Sequence, residues 1–390
     1  MPRTKEPHMS QRDAVVCAAV RTPIGVGKPE KGALSGIHAV DLAAIPLQAL
    51  LERTGIHPAV IDDVFWGCVS QTGEQGFNVG RHAVLAAGYP ESVPATTIDR
   101  QCGSSQQALH FAAASVMSGQ TDVVVAGGVE SMSRIPMGSN LAGGDGPFSP
   151  KLMERYQGVI FNQGVGAEMI AEKWGLSRTY LDEMAVTSHE RAAAATAAGI
   201  FTEEIVAVGD FAADQGIRPG SNVEKLATLP TPFKEGGVVS AGNASQISDG
   251  AAALLVTTSE KAAELGLTPI VRFHTGVMAG TDPVMMLTGP IPATEKVLSK
   301  SGLSISDIGA FEVNEAFASV VGAWLAETGA DPALTNPNGG AMAIGHPLGA
   351  SGARLSTTLI HHMKRNNIRY GLQTMCEGGG MANATILELL

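Results

Sequence analysis

Cysteine is scarce in this chain: four residues among 390, Cys17, Cys68, Cys102 and Cys376, with no CxxC pair. That density excludes a disulfide scaffold and fits free thiols in a reducing compartment, so the expected location is cytoplasmic. The ten histidines show neither an HExxH motif nor the spacing of a structural zinc site, which argues against a metal. Basic residues are outnumbered 26 to 37 by acidic ones, giving a net charge of −11, and no Lys/Arg stripe offsets it. Nucleic acid is therefore not an expected partner. The longest apolar runs, such as the one around Val123 to Ala126, fall far short of the roughly 20 residues a membrane span needs. The opening MPRTKEPHMS is polar, so no secretory signal is expected there, and His8-Met9-Ser10 resembles a cloning junction with Met9 as the natural start.

What the chain has in quantity is glycine, 47 residues, within a composition 44% hydrophobic and 16% charged. This fits many tight strand-to-helix turns in an ordinary globule of two or three packed units. The chain also matches itself. LLERTGIHPAVIDDVFWGCV aligns with VLSKSGLSISDIGAFEVNEA, placing Gly55 on Gly302 and Ile61 on Ile308, an offset of 247 (302 − 55). The same offset lays CGSSQQALHFAAASVM on GASGARLSTTLIHHMK, and after a small insertion VVVAGGVESM faces LQTMCEGGGM. Each copy alternates helical and β-rich segments, with strands expected at Asp13 to Val20, Val64 to Val69 and Asp122 to Ala126. Helices are expected at Val40 to Thr54 and Ser104 to Ser118. The pattern predicts a duplicated α/β body, mostly parallel sheets covered by helices in five layers, α/β/α/β/α. Residues 1–132 with 240–268 would form one half and 269–390 the other, while 133–239, rich in Gly/Pro loops and Ala helices, would be an inserted loop domain over a site.

Four side chains stand in chemically suggestive settings. Cys102 opens a small-residue helix, where unpaired amides and the helix dipole lower a thiol pKa, although a lone cysteine is commonly a packing residue. His346 sits in Gly345-His346-Pro347, where an imidazole can take a thiol proton or simply decorate a surface loop. Asn314 ends the apolar strand AFEV, with capping of the next helix as its plain alternative. Cys376 ends the strand GLQTM before Gly378 to Gly380, which permit close backbone approach. Under the repeat, Cys102 corresponds to Gly349 and Asn314 to Gly67, so a site between the halves is expected.

VRTPIG, CGSS, GGVESMS, GNASQISDGAAALL, NEAF, GHPLGASG and CEGGG, in this order, resemble the thiolase family of acetyl-CoA acetyl- and acyltransferases over essentially the whole chain. The resemblance implies a duplicated thiolase fold, coenzyme A as co-substrate with no required cofactor, acyl-CoA partners, and a homodimer or homotetramer. It implies Cys102 as the acylated nucleophile, His346 as its base, and Cys376 as the second acid/base. Asn314 and His346 would form one oxyanion site, and the amides of Cys102 and Gly378 another. Glu315 would be structural support. Ser245, in Gly242-Asn243-Ala244-Ser245, would lie against the pantetheine arm, though the segment also reads as a plain turn. Arg218 would meet the nucleotide part of coenzyme A. Where short-chain relatives carry His-Met-Gly, this chain has Asn162-Gln163-Gly164, placing Gln163 at the acyl pocket and leaving room for longer or bulkier acyl chains. Cys17 and Cys68 read as packing, and Met285 and Met286 as core or pocket lining. The expected activity is thiolytic cleavage of 3-ketoacyl-CoA or its reverse. A ketoacyl-synthase-like condensing enzyme, a cysteine hydrolase and a non-catalytic acyl-CoA-binding protein are the competing readings.

Overall fold

The computed structural model describes residues 12–390; the expectations about MPRTKEPHMS and the start at Met9 fall outside the described residues. The chain runs β1 (Val15–Arg21), β2 (Gly25–Val26), α1 (Ala39–Thr54), β3 (Asp63–Gly67), α2 (Val79–Ala86), β4 (Thr96–Ile98), α3 (Ser104–Ser118) and β5 (Val123–Ser131). Then come α4 (Pro150–Arg155), α5 (Gln163–Lys173), α6 (Arg178–Ala197), α7 (Val223–Ala227), β6 (Ser248–Thr257), α8 (Ser259–Glu264) and β7 (Val271–Gly280). The rest is α9 (Pro290–Ser301), β8 (Ala310–Val313), α10 (Ala318–Thr328), α11 (Ser351–Asn366), β9 (Tyr370–Glu377) and β10 (Met381–Leu389).

The repeat is structural. α1 and α9 both stop at a left-handed glycine, Gly55 and Gly302, where an absent Cβ removes the cost of positive φ. β3 and β8 start 247 residues apart (310 − 63), as do α3 and α11 (351 − 104). So do β5 and β9 (370 − 123), and the pairing Asp63↔Val124 recurs as Ala310↔Gly371. The small insertion expected before the last strands is therefore absent. A two-residue slip had concealed this, because alternation with period two looks the same after it. Glu377 is thus the twin of Glu130, and Cys376 the twin of Val129.

The strands form one sheet in the order β4-β3-β5-β6-β1-β7-β10-β9-β8, with β2 beside β6. Among the described residues its halves meet where Val15 and Val16 of β1 pair with Arg272 and Val271 of β7. Parallel pairing is confined to β3 with β4 and β5 and β8 with β9; the other pairs are antiparallel. The expected mostly parallel sheet is therefore mixed, because β9 returns directly to β10 through Gly378, Gly379 and Gly380, and β5 to β6 in the equivalent way. At that point the first half carries residues 132–247 instead of a glycine turn, and α4 to α7 lie there.

Helices α1 and α2 cover one face of the first half and α9 and α10 the outer face of the second, while α3 and α11 pack against each other between them. This yields the five layers. The central helices are buried nearly all round, so their faces carry small and polar residues rather than an apolar stripe. Gly352 makes the contact possible: a Cβ there would fall 2.1 Å from the Gln106 amide nitrogen. The N-termini of α3 and α11 consequently meet at the centre of the molecule.

Candidate functional site

Cys102 sits at that meeting point. Its predecessor, Gln101, is left-handed at φ 49, held by its amide's 2.7 Å hydrogen bond to Asp99 Oδ1, so the chain turns sharply before α3 begins. Ser104 Oγ donates to Gln101 O at 2.6 Å and closes the turn. The sulfur lies in an apolar cluster of Val69, Met132, Leu348 and Met375. Burial pushes the thiol up to about 12, the carboxyls of Glu377 and Glu130 add to this, and the amides of Cys102 and Gly378 pull it back. The helix start thus does not make a standing thiolate: desolvation outweighs the dipole, and the resting group is a neutral thiol that requires a base.

His346 provides a defined acceptor. Its amide donates to Ser248 Oγ at 3.1 Å, and its Nδ1 lies 2.5 Å from Ser351 Oγ. The single proton of Ser351 goes to Pro347 O at 2.8 Å, so the hydroxyl accepts from Nδ1–H and Nε2 carries no proton. Asn314 Nδ2 donates to this Nε2 at 3.3 Å, a long bond easily given up. Burial holds the imidazole down at about 3, with Arg354 acting in the same sense, so the ring is neutral at physiological pH. Leu348, two residues on, packs in the Cys102 cluster.

Asn314 is not a helix cap. α10 begins only at Ala318, and the Asn314 side chain turns to His346, leaving Oδ1 buried without a protein donor. Glu315 is saturated: Ser188 Oγ and the Met342 amide donate to one oxygen, Asn336 Nδ2 to the other. Cys376 is 1% exposed in a neighbouring apolar cluster with Ala316, Phe317, Met286 and Leu287, against which Met285 also packs. Burial and then the Cys102 sulfur hold its thiol well above the ordinary range.

The fold therefore brings Cys102, Cys376, His346, Asn314 and Gly378 to one buried region, contributed by both halves. The three binding candidates lie further out. Ser245 is half-buried, its amide donating to Ala316 O at 2.9 Å, which ties the Asn243 segment to the NEAF strand end. Arg218 is exposed, with its amide on His189 Nδ1, and Gln163 is the half-buried first residue of α5. Cys17 lies half-buried in β1 and Cys68 is buried just after β3. Ser351, Ser248 and Glu377 were not singled out from sequence. Ser351 had one legible signal, its position five residues after His346 at a helix start. Among the described residues no group of three or more His, Cys, Asp or Glu could hold a metal, and no helix is long and apolar enough to cross a membrane.

Two family models match: the thiolase N-terminal domain over residues 14–260 and the thiolase C-terminal domain over 267–389. The chain is 52% identical over 389 residues to the steroid 3-ketoacyl-CoA thiolase FadA6 of Mycobacterium tuberculosis, covering 97% of this chain and 94% of that protein. It is 44% identical over 388 residues to the 3-ketoacyl-CoA thiolase FadA of Escherichia coli, covering 96% and 98%. The crystal structure of the Bacillus anthracis acetyl-CoA acetyltransferase superposes with a TM-score of 0.89 at 37% identity, covering 98% of this chain and all of that one.

Proposed function

The chain belongs to the thiolase family and is an acyltransferase; on that premise we propose how its own residues carry the reaction and on what. The Cys102 sulfur attacks the 3-keto carbonyl of a 3-ketoacyl-CoA as His346 Nε2 takes its proton. The bond between the 2- and 3-carbons breaks, leaving the acyl group on Cys102, and Cys376 gives its proton to the departing acetyl-CoA carbanion. The Cys376 thiolate then takes the proton of the coenzyme A thiol as that sulfur attacks the acyl-cysteine; the bond to Cys102 breaks, acyl-CoA leaves, and His346 returns its proton to the Cys102 sulfur. Condensation is the same sequence reversed. The amides of Cys102 and Gly378 stabilise one oxyanion, worth about 3 kcal/mol per donor. Asn314 and His346 serve the other.

One observation carries this reading: the Ser351–His346–Asn314 chain presents a neutral imidazole with Nε2 as acceptor, and Leu348, two residues beyond His346, packs in the apolar cluster around the Cys102 thiol, which burial keeps protonated. A proton acceptor is what such a thiol needs. Cys376 in CEGGG separates this from a ketoacyl-synthase-like enzyme, whose chemistry has no use for a second thiol. Ser245, Arg218 and Gln163 are assigned to coenzyme A and acyl contacts, with no cofactor beyond that co-substrate.

The substrate class follows from Gln163 and its neighbours, which stand where short-chain members carry His-Met-Gly, and from the Mycobacterium relative's name. Both favour long or bulky 3-ketoacyl-CoAs, ring-derived ones included, in fatty-acid or related lipid breakdown. The chain is further assigned to the cytoplasm, to a homodimer or homotetramer, and to halves at 1–132 with 240–268 and 269–390 around an insert at 133–239. Purified protein should consume ketothioester in the presence of coenzyme A, with kcat/KM rising from acetoacetyl-CoA to bulkier chains. No turnover at any length would refute the mechanism; a maximum at acetoacetyl-CoA would refute the substrate class alone.

A further inference from the structure

The duplication sets a glutamate at the same place in each half, Glu130 near the end of β5 and Glu377 at the end of β9, both fully buried. Their surroundings differ. Glu130 Oε2 accepts from the amides of Val69 at 2.9 Å and Gly349 at 2.8 Å, and its Oε1 from the Ser70 amide at 3.0 Å and Gln75 Nε2 at 2.9 Å. Gly349 is the repeat's counterpart of Cys102. Glu377 holds the corresponding place under the nucleophile, yet among the described residues neither of its oxygens has a hydrogen-bond partner.

Its carboxyl lies against the backbone of Gly103, where a Cβ would fall 1.9 Å from Oε1. The Asn383 side chain on β10 is the neighbouring amide, but its Nδ2 donates to Gly103 O at 3.2 Å. From the segment before α3 the facing charge is Arg100, whose Nε is itself buried and unpartnered and whose Nη1 is 3.9 Å from Met381 Sδ. From the start of α3 the facing group is the Cys102 thiol, and on the same strand it is Cys376.

We propose that Glu377 is a positioning residue for acyl transfer: its neutral carboxyl packs beneath Cys102 so that the thiolate forms without a competing negative charge, and its ionisation suppresses that thiolate. The asymmetry with Glu130 supports this, since four donors satisfy one carboxyl and none the other, and an unpaired buried carboxyl is favoured in its protonated form. In the same direction, burial pushes Glu377 up to about 8 against the pull of Arg100. Two groups that disfavour each other's charge then titrate as a coupled pair.

The inference rests on Cys102 as nucleophile, but its test needs no substrate, so its failure and a failure of the proposed reaction are read separately. Alkylation of Cys102 by iodoacetamide, followed as mass of its peptide from pH 6 to 11, is measured for the parent and Glu377→Gln. Below about pH 8, where the Glu377 carboxyl is neutral, parent and Gln variant should react at the same rate. Above it the parent should rise less steeply with pH and the Gln variant react up to approximately tenfold faster. Rates that superimpose above pH 8, or a variant that reacts more slowly there, would overturn the proposal.

Discussion

Replacing Ser351 by alanine isolates the group that orients the base without touching either thiol. In the resting protein Ser351 Oγ accepts from His346 Nδ1–H and donates to Pro347 O. In the proposed reaction, once Nε2 takes the Cys102 proton, the Nδ1–H bond becomes charge-assisted, a class worth about 1.5–3 kcal/mol. The free protein already loses a neutral bond of about 1 kcal/mol there, so the difference of about 0.5–2 kcal/mol predicts a fall in kcat/KM of roughly 2- to 30-fold. The folded state loses less. The bond to Pro347 O is a neutral one at the start of α11, worth about 1 kcal/mol, and the alanine fills most of the serine's volume. The assay is steady-state thiolysis beside thermal unfolding, with iodoacetamide alkylation of Cys102 at pH 7 as a substrate-free control that should slow in parallel. A kcat/KM within twofold of the parent would refute the tautomer argument. A loss matched by global unfolding would refute the claim that Ser351 acts through His346.

Three further outcomes are expected. Cys102→Ala should abolish turnover, by at least about 10³-fold, while leaving acyl-CoA binding measurable by calorimetry, because no other buried thiol has an amide pair facing it. His110 is held at about 3 by burial, below its ordinary value, so the unfolded chain binds the extra proton and stability should fall as pH drops from about 6.5 towards 3. The part lost is on the order of 5 kcal/mol, and urea midpoints of His110→Asn should decline less than the parent's over that window. Glu130→Ala strands the amides of Val69, Ser70 and Gly349 and the Gln75 side chain, which should cost about 4 kcal/mol or more and be visible as a collapse of the urea midpoint.

Much of the architecture is legible in the sequence. Gly55 and Gly302 mark helix ends because a left-handed C-cap is a local requirement, and α3 starts and stops where its small-residue pattern does. Mostly parallel pairing was the natural inference from alternating helices and strands, and it failed because the returns from β5 to β6 and from β9 to β10 reverse direction. The latter turns on Gly378 to Gly380, so three glycines prized for oxyanion geometry are also a hairpin turn. The two-residue slip in the last strands hid the pairing of Glu377 with Glu130. An apolar strand has no internal landmark, and its alternation survives such a slip.

At the site, Cys102, Cys376, His346 and Asn314 could all be picked out as candidates from sequence alone, because motif order along the chain is a one-dimensional property. Their protonation could not. The helix start at Cys102 argued for a lowered thiol pKa, whereas the structure buries the sulfur beside two carboxyls and raises it to about 12. The neutral state of His346 and the unprotonated Nε2 depend on where Ser351 sends its one proton, and the unpartnered state of Glu377 depends on the backbone of Gly103 across a chain separation of 274 residues (377 − 103). Sequence thus determined which groups are present and in what order; only the tertiary structure decided which are charged, since charge is settled by desolvation and by neighbours that are distant along the chain.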